Sequence, residues 1–384
     1  MHIAFLTPEF PHAKVAYAAG IATSIKNLAN ALVREGVSVT VFVYGQKTQE
    51  IIVENGVSIH LIKNKKFKFL SWFFYRKYIQ NYCNVIIKKE KIDLIEAPDW
   101  TGITAFMKFK TPLIIRFHGS DTYFCHLEKR KQKKKNFWFE KKALQKAKAC
   151  IAPTIFAGEL SKELFKIKNK EIKTIHNGLE LEKFTNHSAE AYQKGLMLYI
   201  GTLIRKKGVM ELPEIFAKVR NQFPEAKLVL IGADSNDIKT GSASTWQLVK
   251  ERFRVEDLRH IEYLGKIPYE EVRNYIQKAN VCIFPTFAET LGMVTIESMA
   301  MQKVVVNSNI GWSQELIEDE ESGFLVHPAN HNLYAERIVQ VLKDQKITLE
   351  IGKQARLRIE DRFDIKKLVK ENIEFYRKII KSNK

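Results

Sequence analysis

The sequence predicts an α/β protein built of two doubly wound parallel-sheet domains in tandem. Three observations predict it. Short apolar strands alternate with amphipathic helices along the chain, and that alternation implies a parallel sheet covered by helices on both faces. The alternation breaks once, around residues 177–195, and then restarts. The length of 384 residues suits two domains of roughly 100–200 residues each.

HIAFLT (2–7) reads as a short buried strand, followed by a loop with Pro8 and Pro11. Gly20 then opens a helix whose apolar residues Ile21, Ile25, Leu28 and Leu32 share one face, and Gly36 ends it. VSVTVFV (37–43) alternates as a strand. Further strands are expected at 57–62, 93–97, 112–117, 149–153 and 172–176, with helices between most of them. The stretch 177–195 is polar and turn-rich and reads as a hinge. LMLYIGT (196–202) restarts the pattern, with strands expected at 227–232, 260–264, 280–284 and 303–306. No short internal repeat is present. In such sheets ligands bind beyond the carboxyl ends of the strands, and with two sheets the cleft between them is the expected site.

Hydrophobic residues make up 45% of the chain, enough for a core in each half. No apolar run approaches the ~20 residues of a membrane-spanning helix. The first residues, MHIAFLTPEF, lack the basic region and long apolar core of a signal peptide, so a cytoplasmic location is expected. Cys83, Cys125, Cys150 and Cys282 are scattered without metal-ligand or redox spacing and read as reduced thiols. The net charge of +19 is uneven: residues 1–190 hold 32 Lys and Arg against 17 Asp and Glu, residues 191–384 hold 30 against 26. A field of that strength favours an anionic partner: nucleic acid, an anionic membrane face or a phosphorylated substrate.

The most informative stretch is FPTFAETLGMVTIESMA (284–300). A strand ends at Phe284 and Pro285, and a helix is expected to start near Gly292. Glu289 falls in the loop between them, Glu297 more than a turn inside the helix. The N–H groups of Leu291, Gly292 and Met293 lack intrahelical partners at such a start and attract phosphate. Gly292 permits close approach of a ligand to the backbone. A carboxylate beside that site accepts hydrogen bonds from sugar hydroxyls.

This stretch resembles the donor-binding signature of the GT4 family of GT-B-fold retaining glycosyltransferases, in which a Pro-Ser strand end is followed by Glu, seven residues, Glu and Ala-Met-Ala. Thr286 stands for the usual Ser and Ser298 for the usual Ala. The resemblance implies two Rossmann-like domains facing across a cleft. It implies that Glu289 contacts the donor sugar's hydroxyls and Glu297 the ribose. YIGTLIRKKGV (199–209) is similar to the family's Gly-Arg-Leu…Lys-Gly segment, with Lys207 matching the diphosphate-binding lysine. A cation there suits a leaving diphosphate that gains charge as the glycosidic bond breaks. Thr202 replaces the family's arginine, and Arg205 in the same loop is a candidate to supply that charge. Lys206 is expected to face solvent. RFHGSD (116–121) resembles the loop carrying the family's histidine near the reacting carbon, which makes His118 a catalytic candidate. Asp121 is expected either to orient a hydroxyl or to cap a helix. The first loop has Ala19-Gly20 where the family has Gly-Gly, so only Gly20 is carried over. YLGKIP (263–268) resembles the base-binding loop, where the backbone near Lys266 and Ile267 would meet the nucleobase. HNG (176–178) matches the hinge entry, GWSQELIEDEESGFLV (311–326) a structural segment, and the helical stretch 363–380 the last helix that crosses back to the first domain.

The resulting division is 1–190 for the acceptor, with 365–384 returning to it, and 191–364 for the donor. The resemblance implies retention of configuration. No first-domain loop offers an obvious covalent nucleophile, which favours a front-face route, and no DxD pair exists, so no metal or other cofactor is expected. The donor is expected to be a UDP-sugar first and GDP-mannose second, the acceptor a lipid-linked or phosphorylated cell-envelope glycan. Two first-domain stretches combine basic and aromatic residues, 63–91 and 126–142, the latter with six Lys and Arg between 129 and 135. They fit an anionic membrane surface and a peripheral location at the inner face of the cell membrane. A basic nucleic-acid-binding protein would explain the charge but not the Glu289–Gly292–Glu297 spacing, and no nucleic-acid module is visible. A nicotinamide oxidoreductase would need a Gly-x-Gly-x-x-Gly turn after a strand, which is absent. A non-catalytic or epimerase relative of the same fold is the remaining alternative.

Overall fold

A computed structural model describes residues 1–16 and 20–382. It divides the chain into two compact units, Met1–Glu180 with Asp364–Lys384, and Leu181–Phe363. The first break thus falls after Glu180 rather than at 190. The segment past it is tied into the second unit: Asn186 Nδ2 donates to the Met301 carbonyl at 3.0 Å and Arg356 to the Phe184 carbonyl at 2.7 Å.

The first unit runs β1 (His2–Thr7), α1 (Gly20–Arg34), β2 (Ser38–Gln46), β3 (Glu50–Glu54), β4 (Val57–Lys63), α2 (Ser71–Glu90) and β5 (Leu94–Pro98). It continues with β6 (Leu113–Arg116), α3 (Asp121–Leu127), α4 (Lys134–Lys146), β7 (Ala149–Ala152), α5 (Ile155–Phe165) and β8 (Ile172–Thr174). Its eight strands lie in the order β3-β4-β2-β1-β5-β6-β7-β8, all parallel except β3, which pairs antiparallel with β4. The sequence reading omits β3. Its signal is Asn55-Gly56, whose positive φ values of 50° and 79° are those a two-residue hairpin demands.

The second unit runs β9 (Leu196–Ile200), α6 (Leu212–Gln222), β10 (Lys227–Ile231), α7 (Thr245–Lys250), β11 (Ile261–Tyr263), α8 (Tyr269–Lys278) and β12 (Val281–Phe284). Then come α9 (Met293–Ala300), β13 (Val304–Asn307), β14 (Phe324–Leu325), α10 (His331–Lys343) and α11 (Gln345–Arg362). The sheet order is β11-β10-β9-β12-β13-β14, all parallel. The two-residue β14 is also absent from the sequence reading; it carries too few residues for any periodicity. Strands such as VCIF and VVVN are buried at every position, as expected of strands covered on both faces.

The final helix, α12 (Ile365–Lys381), belongs to the first unit. Ile365, Leu368, Val369, Ile373 and Tyr376 are buried along its inner face and share a core with Phe5, Leu28, Leu32 and Val41. Its start sets the role of the His176-Asn177-Gly178 segment. A Cβ on Gly178 would stand 2.7 Å from Ile365 Cα, and the Ile365 N–H donates to the Leu179 carbonyl.

Both sheets have one switch point where the strand order reverses. In the first it lies between β1 and β5, in the second between β9 and β12. Loops leaving the carboxyl ends of such neighbours diverge and leave a crevice, the general place for a ligand in open α/β sheets.

Candidate active site

The loops after β9 and β12 meet at the second unit's switch point. After β9 the chain makes a single tight turn over Arg205–Lys207 and ends it at Gly208, in the left-handed region with φ 71°. A Cβ on Gly208 would stand 1.7 Å from the Pro285 carbonyl oxygen, so only glycine lets this turn settle against the end of β12. The backbone completes the junction: the Phe287 and Ala288 N–H groups both donate to the Lys206 carbonyl, at 2.8 and 3.3 Å. Lys206 is half-buried in this junction, not solvent-facing as the sequence reading has it. The outcome is that Lys207 Nζ lies 2.5 Å from Glu289 Oε1, each side chain about one-fifth exposed (21% and 20%). Two residues 82 positions apart form one charged edge at the strands' carboxyl ends.

From Glu289 the chain turns through Gly292, φ 98°, which serves as the N-cap of α9 without a side-chain capping bond. Among the described residues no protein acceptor stands opposite the N–H groups of Leu291, Gly292 and Met293. The Leu291 side chain is itself core, so only its backbone is available to a ligand. Glu297, a turn further on, is 3% exposed. Tyr269 Oη donates to its Oε1 at 2.5 Å. Burial pushes the Glu297 carboxyl up to about 7, against the opposing effect of the Tyr269 hydrogen bond. Among the described residues Tyr269 is the one hydrogen-bond donor to this buried carboxylate, which leaves it capacity to accept from others.

Arg205 in the same turn has an acidic partner of its own. Its guanidinium makes a bidentate pair with Asp237 at 2.7 and 2.8 Å. Hydrogen bonds from Arg205 first, then from Thr240, hold the Asp237 carboxyl well below the usual carboxylate range. Arg205, the candidate to supply the charge lost at Thr202, is thus paired with Asp237 as Lys207 is paired with Glu289, and it ties the loop after β9 to the loop after β10. Thr202 is exposed, Ile267 half-buried and Lys266 exposed, the last two in the loop after β11.

The first unit holds the remaining candidates. His118 follows β6 and is half-buried. Burial first, and then the Arg116 charge, lower its imidazole to about 3, so it is neutral near pH 7. Its backbone N–H donates to Asp99 Oδ1 at 2.8 Å. Asp99 sits just past β5, beside the switch point, and burial raises its carboxyl to about 7. Asp121 does not cap α3: Ser120 is the cap, and the Asp121 carboxylate accepts from Arg130 and Asn136, both at 3.0 Å. The buried Glu140 of α4 covers the start of α3, accepting the Asp121 and Thr122 N–H groups at 2.8 and 3.2 Å. Gly20 opens α1 with open space where a Cβ would stand, and the buried Glu9 takes the Ala22 N–H at 2.9 Å. Ala19 lies outside the described residues.

Sequence reasoning missed Gly208, Tyr269, Asp237 and Asp99. Gly208 was within reach, since a glycine closing a basic turn after a strand signals a left-handed residue. The other three have partners 19 to 32 residues away along the chain, and no spacing rule links them. Among the described residues no group of three or more His, Cys, Asp or Glu side chains is arranged to hold a metal ion.

Two family profiles match this chain, one on each half: Glycosyltransferase Family 4 over residues 18–183 and Glycosyl transferases group 1 over residues 182–358. An uncharacterised glycosyltransferase of Methanocaldococcus jannaschii is 25% identical over 98% of both chains. Among solved structures, sucrose-phosphate synthase from Thermosynechococcus elongatus superposes with a TM-score of 0.82 at 21% identity over 99% of each chain. Anabaena HepE in complex with UDP does so at 0.76 and 17%, over 98% of this chain and 100% of that one. With profiles of that family on both halves, and a fold shared with GT-B enzymes over nearly its whole length, this chain belongs to the GT4-type glycosyltransferases.

Proposed function

We propose that the enzyme transfers a hexose from a nucleotide-sugar, a UDP-sugar in the first place and GDP-mannose in the second, to a lipid-linked or phosphorylated glycan, with retention of anomeric configuration. The observation that carries the reading is the Lys207–Glu289 pair at the β9/β12 switch point, beside the open N–H groups that begin α9. A diphosphate suits that place, because an ammonium and a helix start both favour negative charge. Glu289 would then accept from the sugar's hydroxyls and Glu297 from the ribose. The complex of HepE with UDP supports UDP as the first donor to try.

In the proposed step the bond from the anomeric carbon to the diphosphate oxygen breaks while the bond to the acceptor oxygen forms on the same face. The acceptor's proton passes to the departing phosphate oxygen. Lys207 and the α9 N–H groups stabilise the charge gained by the leaving group, so no metal enters the route. His118, neutral at working pH, serves as a hydrogen-bonding group rather than as a cation. No nucleic acid takes part. The proposed site of action is peripheral, at the inner face of the cell membrane; no helix among the described residues is long and apolar enough to cross a membrane.

Thermal-shift screening against UDP-, GDP-, ADP- and dTDP-sugars tests the donor. Stabilisation by one of them, with slow donor hydrolysis abolished in Glu297→Ala, is the expected result. Lys207→Ala should lower kcat by about 100-fold, the typical loss for one charge-stabilising group. Lack of stabilisation by every nucleotide-sugar would remove the reading.

A further inference from the structure

We propose that the start of α2, the 104–107 turn and α4 of the first unit together form a face that docks on an anionic lipid bilayer. The inference rests on the lipid-linked acceptor reading for its purpose, while its observations lie apart from the donor site.

Three segments distant in sequence bring their aromatic rings into one continuous chain. Phe67 meets Phe74 at 6.0 Å between centroids, and Phe74 meets Phe73 at 5.7 Å. Phe106 then meets Phe73 at 6.2 Å and Trp138 at 4.9 Å. Phe67, Phe73 and Phe106 are half-buried, whereas Phe74 and Trp138 in this chain, and Phe69 and Leu70 beside it, are exposed. Phe69 is 78% exposed, Leu70 49%, Phe74 43% and Trp138 43%. Phe69 and Leu70 stand at the very start of α2. Leu70 adopts a left-handed conformation there (φ 41°) and makes no side-chain capping bond. A bulky residue in that conformation, with its side chain half in water, gains little from the fold that would offset the strain.

The surround is cationic. Lys63, Lys65, Lys66 and Lys68 precede the tip and are exposed, and no acidic residue occurs between Lys63 and Lys89. On the other side Lys129, Lys131 and Lys133–Lys135 are exposed as well. The nearby acids are already engaged: Asp121 and Glu128 pair with Arg130, and Glu140 is buried against α3. A protruding apolar tip ringed by unmatched lysines is complementary to an anionic headgroup layer over hydrocarbon. A second copy of the chain would bring like charge against like charge. A nucleic acid would match the lysines but has no use for a Leu–Phe tip in water, since strand binding relies on flat rings along a groove.

The test is co-sedimentation of the full chain with phosphatidylcholine vesicles, with and without phosphatidylglycerol. Binding should require phosphatidylglycerol and fade with added salt. The double variant Phe69→Ser/Leu70→Ser and the single variant Trp138→Ser should each weaken binding about tenfold. The triple variant Lys133→Glu/Lys134→Glu/Lys135→Glu should abolish it. All of these positions are exposed, and an unchanged circular dichroism spectrum verifies folding. Equal binding to uncharged vesicles, indifference to the Phe69, Leu70 and Trp138 substitutions, or binding to single-stranded RNA with no vesicle binding would each overturn the proposal. Donor-induced thermal stabilisation, read on the same samples, reports the donor site separately. Stabilisation without vesicle binding sinks the docking face alone, and vesicle binding without stabilisation sinks the donor reading alone.

Discussion

Glu297 sets the pH response at the scale of single residues. Its carboxyl is raised from 4.5 to about 7 by burial. Between those values the folded protein holds a proton that the unfolded chain has released. Stability therefore falls as pH rises through that window, by about 3 kcal/mol at most. Glu297→Gln removes the titration and keeps an acceptor for Tyr269 Oη. Denaturant unfolding at a series of pH values should show the variant gaining on the wild type from pH 4.5 towards 7. Taking the difference between the two proteins isolates Glu297 from Asp99, which titrates in the same range. Donor affinity should move the other way, rising with pH through about 7, because hydroxyl donors prefer the charged carboxylate. In the Gln variant calorimetry should find affinity lower and flat with pH.

Among the elements, the turn after β9 decides whether the two halves of the donor site meet. Its position depends on Gly208, where a Cβ would enter the Pro285 carbonyl. Gly208→Ala should lower stability by more than the ~1–2 kcal/mol of a left-handed alanine, because the β12 end must shift as well. It should also abolish donor-induced stabilisation, since Lys207 moves with the turn. Gly241→Ala is the matched control: φ is 78° there, yet nothing lies within 4 Å of the added carbon. It should lose only the conformational cost and keep donor binding. Equal behaviour of the two variants would show that the contact with Pro285 does not matter. At this same scale the sequence was legible where periodicity spoke. The apolar stripe of α1 and the inner face of α12 lie where their spacing put them. It was not legible at β14, two residues long, or for Glu140, whose cap on α3 bridges 19 positions.

For the whole molecule, α12 returns the chain's last residues to the first unit and locks them there with polar groups. Arg116 of β6 donates to both oxygens of Glu96 of β5, at 2.7 and 3.1 Å, and to Asn372 of α12 at 2.5 Å. Tyr376 Oη completes the set by donating to Glu96 at 2.7 Å. All four side chains are buried. Buried polar groups left without partners cost about 1–3 kcal/mol each, so Tyr376→Phe should destabilise the protein by about that amount. Urea unfolding measures it, and a loss within ~0.5 kcal/mol would show the hydroxyl to be replaceable by water.

The sequence by itself determined the alternation of strands and helices and the presence of a break within it, because those depend on local periodicity. It also placed Glu289, Gly292 and Glu297 around one helix start. Only the tertiary structure decided which charges are matched. It gave Lys207 to Glu289 and Arg205 to Asp237, covered Glu297 with Tyr269, and left the aromatic tip at Phe69 and Leu70 in solvent. Each of those outcomes depends on loops brought together by strand order. Parallel strands that neighbour in space are separated in the chain by whole crossover connections, so no local pattern encodes which loop a given charge will face.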